Sequence, residues 1–229
     1  MRTHPIVSLM ERVPRKKTVS FIYNNLISYT PTELPGYRSW EADIPLGTET
    51  IDWEVVWKNV FGSSKNPNHQ LIHYKICHRT YLTSRKRHLL GLAPNPYCTF
   101  CNQGIMGTLM HVLWECPDVQ RFWVKVVDRV SDLVRRNFPL EPALLLLNDD
   151  SRFKIVEIER KIWLGGMTAA KKIIVMRWLP PHQLSIKHWL QVLLGVFYVE
   201  WSSARINNAK LRTLEMWEKA AEDVKKLLS

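Results

Sequence analysis

Cys98-Thr99-Phe100-Cys101, nine further residues, His111, four more and Cys116 make the most constraining stretch of this chain. A pair of cysteines two residues apart forms a tight turn with both sulfurs on one side. Three thiolates and one imidazole suit a closed tetrahedral zinc site, and such a set leaves no open position for water. The expectation is therefore a structural Zn2+ held by Cys98, Cys101, His111 and Cys116, with about one net negative charge on the site. Residues five apart lie roughly 140° apart on an ideal α-helix. His111 and Cys116 thus cannot bind one ion from the body of a straight helix. The spacing predicts His111 on a short helical turn, Cys116 at its end, and Pro117 opening the next helix. Two other readings stay open: three unrelated cysteines beside a core histidine, or a disulfide that leaves one sulfur unpaired. Cys77 falls in a helical stretch and reads as a small buried apolar residue.

Charge is spread unevenly around this stretch. The chain has 229 residues and a net charge of +11, which favours a polyanionic partner. Residues 55–114 hold seven Lys and Arg, no Asp or Glu, and five histidines. Within that window Lys75, Arg79, Arg85, Lys86 and Arg87 surround Tyr81, and Phe100 sits in the knuckle. Cations for phosphates with interleaved rings for bases are what nucleic acid uses. The bland alternative is a solvated helix face with a core tyrosine. The ten tryptophans read mostly as core anchors. The longest nearly unbroken apolar run, Trp189 to Val199, covers 11 residues, too few for a bilayer. No apolar leader follows Met1, so a secreted protein is not expected; a reducing compartment, nuclear or cytoplasmic, is.

The fold expected is mainly α: an irregular helical domain around the knuckle, with a long C-terminal helix. Three regions are anticipated: a helical lead-in over 1–64, the basic helix, knuckle and following helix over 65–137, and a helical region over 138–229. Residues 1–17 read as poorly ordered, with a basic run at Arg12 to Lys17 that could address the nucleus. Helices are expected at Thr18–Ser28, across Trp40 to Trp57, over His69–Ser84 after an Asn66-Pro67 cap, and from Pro117 to about Arg136. Leu140–Leu147 could be helical or extended. Residues 153–164 and Thr168–Leu179 read as a helix pair around Gly165-Gly166, stopped by Pro180-Pro181. Ser185 caps a last helix running towards Leu228, with Gly195 or Asn207-Asn208 as places to bend. Asp149-Asp150 reads as a solvated turn. It lacks the surroundings of a polymerase metal pair.

Several of these motifs occur together in one family. Lys75-x3-Arg79-x-Tyr81-x-Thr83, a basic run, Cys98-x2-Cys101, then His111-Val-Leu-Trp-Glu-Cys116-Pro and Phe122-Trp123 resemble the zinc-binding region near the carboxyl end of LINE-type (non-LTR) retrotransposon reverse transcriptases. Trp40-Glu41-x-Asp43 is similar to the lead-in of that region, and Ala169-Ala170-Lys171-Lys172 with Trp178 to the helix beyond it. The resemblance implies a non-catalytic segment that binds RNA and perhaps DNA during target-primed reverse transcription, downstream of a polymerase. It implies no small-molecule substrate and no membrane. The polymerase's catalytic aspartates and any recognisable endonuclease site are lacking, so enzymatic activity does not carry over. Two alternatives accompany this expectation. One is a module that braces an upstream polymerase or binds a protein partner. The other is a zinc hydrolase, which would need an open metal position and a carboxylate base.

Overall fold

The computed structural model describes residues 35–44, 46–101, 103–177 and 183–228. Met1–Arg38 and Ser39–Ser229 are separate compact units, and nearly all described residues lie in the second. The expectations for 1–34 and for Trp178 and Pro180-Pro181 fall outside the described residues. Those that are described form helices, turns and one isolated antiparallel bridge, without a sheet. No described helix is long and apolar enough to cross a membrane.

The helices are α1 (Pro35–Asp43), α2 (Trp53–Gly62), α3 (Pro67–Cys77), α4 (Ser84–Leu89), α5 (Pro117–Val134), α6 (Glu157–Met176), α7 (Ile186–Ile206) and α8 (Leu211–Leu228). Two π-turns, His111–Glu115 and Ala143–Leu147, accompany them among the described residues. Short polar side chains open several helices, at Asn66 and Ser185 as the sequence suggested and at Asp52 in addition. Asp52 accepts from the Val55 N–H, Asn66 from the Asn68 N–H ahead of α3, and Ser185 from the His188 N–H. Each satisfies a donor that has no partner within its helix.

Helix α6 is the centre of the body, packed against α3, α5 and α7, while α7 and α8 form a hairpin. The apolar face of α5 (Val119, Phe122, Trp123, Val126, Val130) is buried as its spacing requires. Gly165-Gly166 does not break the chain. A β-carbon on Gly166 would lie 2.6 Å from Val130 Cγ2, and one on Gly165 would lie 3.0 Å from Phe197 Cε1. The glycines let α5 and α7 approach α6 on two sides, so one continuous helix replaces the expected pair. The Trp189 indole N–H donates to the Gly166 carbonyl across the same contact.

Other expected helices divide. Trp40 to Trp57 is two helices, α1 and α2, with Trp40 fully buried and its indole donating to the Cys77 carbonyl. The stretch His69–Ser84 stops at Cys77. Arg79 then adopts a left-handed conformation (φ 55°), and Thr83 starts α4 afresh. The long C-terminal helix is two, parted at Asn207-Asn208, with Asn208 at φ 51°. Gly195 lies inside α7 without breaking it. The buried face of α3 runs through His69, His73, Ile76 and Cys77, whereas Leu71 is exposed.

Asp149-Asp150 is buried, against the expectation of a solvated turn. Asp149 accepts from the Asp52 N–H and from Ser151. Asp150 takes the Arg160 guanidinium and the Asn59 amide. Asn59 also donates to the Asn148 carbonyl, and Lys171, fully buried in α6, donates to Asn148 Oδ1 at 2.7 Å. His73 bonds the Leu147 carbonyl at 3.0 Å. This polar knot joins α2, α3, the second π-turn and α6, because charges sealed from water persist only when paired and hydrogen-bonded.

Candidate metal centre

The centre lies between α4 and α5. Before Cys98 the chain pairs briefly with the strand returning to His111. Tyr97 bridges Met106, the Cys98 N–H donates to the Ile105 carbonyl (2.7 Å), and the Gly107 N–H donates to that of Pro96 (2.8 Å). Gly104 makes the reversal with φ +67°, a region that disfavours any other residue. Within the turn the Phe100 N–H donates to Cys98 Sγ at 3.4 Å. Such bonds stabilise a sulfur carrying negative charge, as a metal-bound thiolate does.

His111 and Cys116 come together through the first π-turn. Its defining bond runs from the Cys116 N–H to the His111 carbonyl, 2.8 Å. Closing the ring over five residues brings positions five apart onto one side, where an α-helix would part them. Thr108 Oγ1 accepts from the His111 N–H at 3.0 Å at the start of the turn. The Gln120 amide reaches the Trp114 carbonyl, and the Trp123 indole the Leu113 carbonyl. Cys116 then becomes the N-cap residue of α5, with Pro117 in its first turn. The two expectations for His111 and for Cys116-Pro117 hold, and the π form supplies the geometry that α-helical spacing denied.

One ligand atom from each of Cys98, Cys101, His111 and Cys116 lies within 4.8 Å of every other, and Cys101 Sγ is 3.5 Å from His111 Nε2. A zinc tetrahedron with Zn–S near 2.3 Å has edges of about 3.8 Å. Shifts of well under an ångström would therefore close it. The donors fit: three sulfurs and the Nε2 face of one imidazole form a Cys3His group able to hold a metal ion such as zinc. Cys98, His111 and Cys116 are buried and Cys101 half-buried. Burial pushes the Cys98 thiol up to about 11 and His111 below its ordinary value. A neutral imidazole is the form that ligates. The thiol's raised value means that a metal must displace its proton, so loading should weaken with acid.

Gly107 joins this centre to the basic helix α4. A β-carbon there would fall 2.9 Å from Ser84 Cβ, and its carbonyl accepts the Arg85 N–H at 3.2 Å. Of the cations singled out in the sequence, Lys75, Arg85 and Arg87 are exposed. Arg79 is turned inward: it pairs with Asp43 at 2.5 Å and lies 4.5 Å over the Trp40 ring. Lys86 donates to the Arg79 carbonyl and so secures the left-handed turn. Tyr81 is half-buried against the core, and burial raises its phenol to about 12. Phe100 has the Arg177 guanidinium 4.3 Å above its ring. Sequence reasoning missed Thr108, Gly107, Gln120 and Arg177, which position this site. Only the Gly104–Gly107 pair of glycines gave a local signal. Cys77 is buried with its thiol raised to about 12, and it stands apart from the cluster. The chain matches no known family model.

Proposed function

We propose that this chain is a non-catalytic nucleic-acid-binding segment held in shape by structural zinc, of the kind found at the carboxyl end of LINE-type reverse transcriptases. Its partner is RNA or single-stranded DNA. The observation that carries this reading is the junction of the Cys3His group with a helix presenting Arg85 and Arg87, inside a window without a carboxylate. The metal would fix the knuckle, and Gly107 would transmit that rigidity to α4. Lys75, Arg85 and Arg87 then neutralise phosphates, while Arg79 and Lys86 keep the turn between α3 and α4 in shape. Three phosphate contacts on a single strand contribute about −2 to the slope of log K against log salt.

The test is fluorescence anisotropy with single-stranded RNA at several salt concentrations, on protein of measured zinc content. The expected result is a negative slope and at least tenfold weaker binding by Arg85→Glu/Arg87→Glu with zinc retained. Salt-independent affinity, or no affinity, would overturn the reading.

One observation favours the docking alternative. Leu82, Leu89, Leu90 and Leu92 are all more than half exposed around α4. An apolar surface of that kind suits a protein face, such as an upstream polymerase. Unchanged RNA binding by the charge-reversed protein would support it.

A further inference from the structure

A cleft of about 650 Å3 opens on the side of Phe100 occupied by Arg177, between α5 and the start of α7. Arg121, Lys125 and Arg177 line it with one carboxylate, Asp118. Asp118 accepts from Arg121 at 2.5 Å and from Arg177 at 2.7 Å, so it holds both guanidiniums in place. The balance of the four groups is about two positive charges. Arg177 is only 11% exposed, and its Nη1 is buried without a hydrogen-bond partner among the described residues. That nitrogen is sealed from water, while Asp118 and the Phe100 ring hold the guanidinium at the cleft wall, where its charge adds to those of Arg121 and Lys125. Ser185 and Ile186, at the N-terminus of α7, line the same cleft, where free N–H groups and the helix dipole also favour negative charge.

We infer that this cleft binds a phosphate group, seated among the cationic side chains of Arg121, Lys125 and Arg177. The assignment of that phosphate to a nucleic-acid backbone rests on the function proposed above. A free phosphate monoester shares the chemistry. The cleft adds a cationic contact at Arg177, which lies over the knuckle residue Phe100, in residues that no motif marks.

The test uses the full zinc-loaded chain, its Arg121→Ala/Lys125→Ala variant, and Lys210→Glu as a charge control at the far end of α7. Both cleft substitutions lie on exposed side chains, so circular dichroism should be unchanged. Two probes are used: fluorescent single-stranded RNA by anisotropy, and adenosine monophosphate by amide chemical shifts at Ile186 and Lys187. The expected result is about tenfold weaker RNA binding by the double variant, a salt slope smaller by about 1.4, and loss of the nucleotide shifts. If the wild-type chain binds the nucleotide through these residues but no RNA, the phosphate site stands and the nucleic-acid reading falls. If the double variant matches Lys210→Glu with both probes, the site is overturned, whether or not RNA binds elsewhere.

Discussion

The knuckle and the helical body solve the same problem with different means. Among the described residues of 97–108 there is one isolated bridge and Cys98 is the one buried apolar side chain, while Tyr97, Ile105 and Met106 are exposed; the π-turn that follows seats Val112 and Leu113 in the core. The body formed by α5, α6, α7 and α8 buries Trp123, Trp163, Trp189 and Phe197. A short irregular segment cannot offset its own ordering entropy by apolar burial, so it needs a cross-link; a packed set of long helices does not. The difference teaches that metal dependence here should be local. The zinc would govern the knuckle and the setting of α4, not the existence of the fold.

The largest effect that could break this contrast is removal of the metal. Chelation, or Cys116→Ser, should release amide protection over 97–116 and α4 while α6 and α7 keep theirs; hydrogen exchange read by mass spectrometry distinguishes the two. Structural zinc in small peptides contributes about 10–16 kcal/mol, so the local loss should be complete. Global unfolding would erase the contrast. Next comes the polar knot. Asp150→Ala leaves the half-buried Arg160 guanidinium with Asn59 as its remaining acceptor and should cost about 1.5–3 kcal/mol in urea unfolding, with zinc content unchanged. A cost below about 1 kcal/mol would mean that the knot is not what ties α2 to α6.

Gly166→Ala probes the body by overpacking. Its methyl must displace Val130, which should cost about 1–3 kcal/mol without altering the knuckle's exchange. The smallest effect is one of pH. Burial, with Lys171 nearby, holds the His73 imidazole well below its ordinary value. The unfolded chain then takes up a proton that the folded chain refuses, so this stability is present above about pH 6.5 and fades as pH falls. Between about pH 7 and pH 5.5 His73 should account for about 1 kcal/mol of the loss, alongside His69, whose imidazole burial lowers to about 4, and His73→Gln should make the profile shallower by that share. A profile unchanged by that substitution would show that His73 is not the group titrating.

What the sequence disclosed follows from range. Cys98 to Cys116 spans a short segment, so the ligand set is written in local spacing, as are Pro117 and Ser185 at helix starts. The apolar face of α5 is equally local. The turn at Arg79 has no glycine or proline to announce it; it is held by Asp43, Trp40 and Lys86, which converge only after folding. Gly165-Gly166 carries the same letters whether it breaks a helix or admits a neighbour, and only Val130 and Phe197 decide. Asp149-Asp150 is the clearest case: its partners Asp52 and Asn59 lie 97 and 91 residues away. No pattern along the chain could separate it from a solvated turn.

The account stands on four side chains sharing one ion. Zinc-edge X-ray absorption on the purified chain, with metal stoichiometry, tests this most directly. The account predicts one zinc per chain with three sulfurs near 2.3 Å and one nitrogen near about 2.0 Å, and loss of that shell in His111→Ala. A chain that carries no zinc, or a shell that includes oxygen and survives His111→Ala, would contradict it.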